Sequence, residues 1–104
     1  MSLFETVYDH TISYLNVWKF PRPEQLEHAL KRATAILIPA DHTMLSQFEK
    51  HVMFTPNDDT DIEGLHGFFN GLPVITESNR KRTHTVMIIY DLNRIAQDAI
   101  KGFA

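Results

Sequence analysis

Two charged clusters and a set of histidines are the residues whose types and spacing bear on chemistry. Asp58, Asp59, Asp61 and Glu63 form the densest acidic group. A calcium loop needs a glycine at its sharp turn and a distal bidentate glutamate, and neither stands at the required offset. Two readings remain for these acids. They cap and favour the dipole of a helix N-terminus, or they form an anionic patch for a basic partner. Arg80, Lys81 and Arg82 are the opposite pole. Placed on the first turns of a helix they oppose its dipole, which suggests a phosphate or acidic partner, although three consecutive bases cannot share one helix face. The other reading is a solvated surface run.

His10, His28, His42, His51, His66 and His84 are isolated from one another, and none stands four residues from another as a zinc-binding helix requires. No metal site is expected. No nucleophile elbow or phosphate-cradling glycine loop is present, and Gly64-Leu65-His66-Gly67 is too short to count as a motif. We therefore expect no catalytic residue, no cofactor and no enzyme. Met53 and Phe54 lie off the apolar face made by Leu45, Phe48 and Val52, so they are either surplus interface residues, as in a homodimer, or core.

The chain that must position these groups has 104 residues and 12.0 kDa, the size of one domain. It has no cysteine, which excludes disulfides, thiolate metal sites and cysteine nucleophiles. Its longest apolar run, Ala35 to Ala40, is far short of the roughly 20 residues of a spanning helix. With no signal peptide at its start, the chain is expected to be a soluble cytoplasmic protein that uses no membrane. The net charge of -3 conceals a polarity: residues before Glu77 hold five bases and ten acids, and those from Glu77 onward hold five bases and three acids.

Helical spacing is the dominant pattern. Ser2 and Glu5 form a capping box, after which Phe4, Val7, Tyr8, Thr11, Leu15 and Trp18 make one stripe, ended by Pro21 and Pro23. Leu26, Ala29, Leu30, Ala33 and Leu37 give a second helix closed by Pro39. Asp41 caps a third that carries Met44, Leu45, Phe48 and Val52 and ends before Pro56. Thr60 and Glu63 cap a short helix through Ile62, Leu65, Phe68 and Phe69, stopped by Gly71-Leu72-Pro73. From about Glu77 to Gly102, Ile88, Ile89, Leu92, Ile95, Ala96, Ala99, Ile100 and Phe103 predict one long last helix. Thr83 to Tyr90 is rich in β-branched residues and reads as strand on propensity alone; continuity with the downstream stripe decides for helix. The expected fold is all-α, a small domain of four to five helices with a long C-terminal helix.

Val7-Tyr8-Asp9-His10, then Leu26, Ala29, Ala33 and Pro39, then Asp91-Leu92, Ala96 and Asp98 resemble the phage antirestriction proteins of the Ocr type over about residues 6–100. The resemblance implies a dimeric, all-helical phage protein that presents carboxylates as DNA phosphates and so blocks restriction enzymes, evading host defence. Only Asp9, Asp91 and Asp98 stand at matched positions within those motifs, and Arg80, Lys81 and Arg82 lie where an acid-rich mimic should carry none. The expected function is that of a small phage-type binding protein that inhibits a host protein, a nuclease or defence component, by occupying its surface. The alternative is a nucleic-acid or nucleotide-binding module built on Arg80, Lys81 and Arg82.

Overall fold

The computed structural model describes residues 3–19, 23–39, 42–58, 64–77 and 85–101. It corrects the all-α expectation, because the elements are α1 (Leu3–Asp9), β1 (Thr11–Val17), α2 (Pro23–Leu30), β2 (Ala35–Pro39), α3 (Met44–Lys50), β3 (Phe54–Pro56), β4 (Leu65–Phe69), β5 (Leu72–Glu77), β6 (Val86–Leu92) and α4 (Arg94–Lys101). The strands form one six-stranded sheet in the order β1-β6-β2-β5-β4-β3. β2 and β5 are parallel and the other neighbours antiparallel, so β1, β2, β3 and β5 run one way and β4 and β6 the other.

The misreading has one main physical cause. A strand covered on both faces presents no alternation and becomes a short continuous apolar run, which helical spacing absorbs easily. In β2, Ala35 and Leu37 face one half of the core, while Ile36 and Ile38 face the other. In β6, Met87 and Ile89 face the first half, and Val86 and Ile88 the second. All eight are buried. The predicted second helix therefore stops at Leu30, and the predicted last helix divides into a central strand and the eight-residue α4.

Two other junctions explain the remaining corrections. Side chains bond the last carbonyls of α1: Thr11 Oγ1 donates to that of Val7, and the His10 Nδ1–H, at 2.9 Å, joins the His10 amide, at 3.3 Å, on that of Thr6. The β-branched and aromatic run that follows then pairs with β6. The predicted helix over Leu65 to Phe69 is instead one arm of a hairpin. Asn70 (φ 50°) and Gly71 (φ 83°) form its two-residue turn, the Asn-Gly pair favoured where both central residues need positive φ. Pro73 is tolerated in β5 because pairing with β2 begins only at Val74, and Pro56 sits on the edge strand β3.

α1 and α4 cover one face of the sheet through Phe4, Val7 and Ala96, and α2 and α3 cover the other through Leu30, Met44 and Phe48. A helix–sheet–helix sandwich of this kind overturns the resemblance to the Ocr-type proteins, whose architecture is helical throughout. Among the described residues no helix is long and apolar enough to cross a membrane.

Candidate interaction edge and adjoining groove

β1 closes one end of the sheet and, with Trp18 beyond its end, accounts for four of the six exposed large apolar side chains among the described residues. Ile12 is 58% exposed, Tyr14 50%, Leu15 45% and Trp18, just past the strand, 72%. Only Val17 of the strand is buried. Tyr14 stands opposite Ile89 and Leu15 opposite Ile88, so the two exposed side chains lie on opposite faces of the sheet. The pairing is irregular on both sides of Ser13, a bulge of the sort that bends an edge strand. At its far end β1 is tied to the loop before β6 by Thr85 Oγ1, which donates to Asn16 Oδ1 at 3.2 Å.

Two adjoining cavities lie between β1 and α2. One, of about 640 Å³, is of mixed polarity and is lined by Ser13, His28, Arg32, Tyr90 and Asp91. The other, of about 420 Å³, is mostly apolar and is lined by Leu15, Val17, Trp18 and Ile88, with Lys19 and Gln25. Ala29 lines both, so the two lie next to each other beside the strand. This combination, an apolar floor with a few polar groups at one end, suits the side chains of an extended segment laid along β1.

The other candidates from the sequence are placed as follows. Met53 and Phe54 pack, half-buried, against the α2/α3 half of the core. α3 ends at Lys50, so they do not share a helix with Phe48; Phe54 opens β3 and pairs with Phe69. Val52 lies in the turn and is 94% exposed rather than part of an apolar face. Asp58 is exposed after β3, where Asn57 binds back to β4 through the Leu65 and His66 carbonyls. Asp59, Asp61, Glu63, Arg80, Lys81 and Arg82 lie outside the described residues.

Most of the described histidines serve local structure. His42 Nδ1 accepts the Met44 amide at 3.1 Å at the start of α3, and His51 Nδ1 accepts the Met53 amide at 3.1 Å after its end. His10 is held on the Thr6 carbonyl, and His66 Nε2 meets Glu49 Oε1 at 2.8 Å, joining β4 to α3. His28 lines the larger cavity. Among the described residues no three His, Cys, Asp or Glu side chains are grouped to hold a metal ion.

Sequence reasoning missed β1 because Leu15 and Trp18 fit a helical stripe begun by Phe4 and Val7. The signal that was present is the density of β-formers in Thr11-Ile12-Ser13-Tyr14-Leu15-Asn16-Val17. No protein-family model, curated protein or solved structure matches this chain.

Proposed function

We propose that this chain is a non-catalytic binding protein whose docking element is the outer edge of β1, where an extended segment of a protein partner adds as a seventh strand. The observation that supports this reading is the exposure, 45% or more, of Ile12, Tyr14 and Leu15 on a seven-residue edge strand and of Trp18 just past its end. Main-chain hydrogen bonds would supply affinity, and the cavities beside α2 would select alternate side chains. Occupying its partner's segment is then the whole of its action, with no bond made or broken.

The test is selection from a library of displayed heptapeptides. The wild-type protein is expected to enrich sequences with apolar residues at alternate positions, and the Ile12→Lys/Trp18→Lys variant is expected to lose that enrichment. Both replaced side chains are mostly exposed, so the folded state should tolerate them. The same peptides enriched equally by both proteins would overturn the assignment to β1.

A further inference from the structure

The two ends of the sheet are built differently. β3 is three residues long and contains Pro56, two of the devices by which proteins keep an edge from pairing. β1 is seven residues long, with no proline and no charged side chain. Its one blunting device is the bulge at Ser13, which leaves Tyr14 to Val17 regularly paired with β6 and their outer edge open among the described residues. We propose that the occupant of this edge is a second copy of this chain, its β1 antiparallel to the first, so that two sheets join into one of twelve strands. This rests on the docking reading above and names the partner of the same edge.

Charge decides the orientation. Asp9, the last residue of α1, precedes the strand by two residues and Lys19 follows it by two, so the strand is flanked by opposite charges evenly spaced in sequence about Tyr14. An antiparallel pair centred on Tyr14 sets Thr11 against Val17 and Ser13 against Leu15 of the other copy. It also brings Asp9 at each end near Lys19 of the other. A parallel pair would bring like charge to like. No two charged side chains of the same sign face each other within the antiparallel ladder, because the strand has none.

The exposed area is on the scale that an interface needs. At their observed exposures Tyr14, Trp18, Ile12 and Leu15 offer roughly 450 Å² per copy, taking about 200 Å² for a whole aromatic side chain and about 100 Å² for each exposed aliphatic. Wholly covered, these side chains of two copies would bury at most roughly 900 Å², and with the strand backbones this is on the scale of the about 1,000 Å² expected of a specific interface. Tyr14 meets its own counterpart on the α1/α4 side. Leu15 meets the other copy's Ser13 on the α2 side, where Ser13 borders the larger cavity. Such a contact is isologous and closes at two copies, so it consumes the edge instead of propagating it.

Sedimentation across about 1 to 300 μM is expected to show the mass rising from 12.0 kDa to twice that value. Leu15→Lys should remain at the monomer mass while keeping the wild-type far-UV circular dichroism. Because the chain has no cysteine, Tyr14→Cys gives a second readout: residues opposed across an antiparallel pair are about 4.5 to 5.5 Å apart at Cα, within disulfide range. Mild oxidation should convert Tyr14→Cys to a covalent dimer and leave Val52→Cys, exposed elsewhere, a monomer. A wild-type monomer at every concentration overturns the dimer, yet leaves the docking reading standing if heptapeptide enrichment persists. A dimer that survives Leu15→Lys, or that crosslinks equally at Val52, places the interface elsewhere and overturns it too.

Discussion

Gly67 and Gly71 sit on the same hairpin and resist substitution for different reasons. Gly71 has φ 83° with nothing within 4 Å of where a Cβ would be, so the only cost of a side chain is conformational. Gly71→Ala is expected to lower stability by about 1 kcal/mol, the penalty for a left-handed L-residue, and Gly71→Asn by less. At Gly67 a Cβ would lie 2.5 Å from the Phe54 ring and 2.6 Å from the Thr55 carbonyl oxygen. The ring can move, but the carbonyl belongs to the β3–β4 ladder. Gly67→Ala is therefore expected to cost about 2 kcal/mol or more, as overpacking does, with Gly67→Asn worse still. Urea midpoints measure both series. Equal responses to Ala and Asn at the two sites would contradict the distinction. A weaker constraint is the His66–Glu49 pair, whose side chains are 32% and 44% exposed; Glu49→Gln is expected to shift stability by less than about 1 kcal/mol.

At the scale of elements, β6 divides the core. Ile88 and Ile89 are neighbours in sequence and both fully buried, but their side chains enter opposite halves. Ile88→Ala and Ile89→Ala should each cost about 2 to 5 kcal/mol, as deletion of a buried aliphatic does. Were this segment one side of a helix, only one of two consecutive residues would pay so heavily; a loss at Ile88 or Ile89 alone would favour that alternative. Amide exchange should be slowest in β2 and β6, which have strands on both sides and are buried over nearly their whole length, and faster in the edge strand β3. The same geometry explains what the sequence could and could not show. The segments of α1, α2, α3 and α4 all lie within predicted helices, because each has one apolar face. β2 and β6 were hidden by burial on both faces. Asn70-Gly71 carries the signal of a hairpin turn, but helical spacing before it turns Gly71-Leu72-Pro73 into a helix stop. The candidate edge was not legible as a site, since its exposure depends on β6, sixty-nine residues or more away, taking the inner position beside β1.

For the whole molecule, folding and pairing are linked if the β1 edges join. A second copy that binds only the folded chain raises apparent stability with concentration. Each tenfold increase above the dissociation constant should raise the melting temperature by a few degrees for a domain of this size. Leu15→Lys should melt at one temperature at all concentrations. Trp18, the one tryptophan of the chain and 72% exposed, follows the same event by fluorescence. Its emission should move to shorter wavelength as the mass doubles, while the dilute protein emits as a solvated indole. Orientation is then tested by charge exchange. Asp9→Lys and Lys19→Asp should each weaken pairing several-fold, because each leaves like charges near one another at both ends of a two-fold contact. The Asp9→Lys/Lys19→Asp double variant restores opposite signs, and pairing should return toward the wild-type strength. Losses that simply add in the double variant would show that the two ends do not meet, and an antiparallel contact centred on Tyr14 would have to be abandoned.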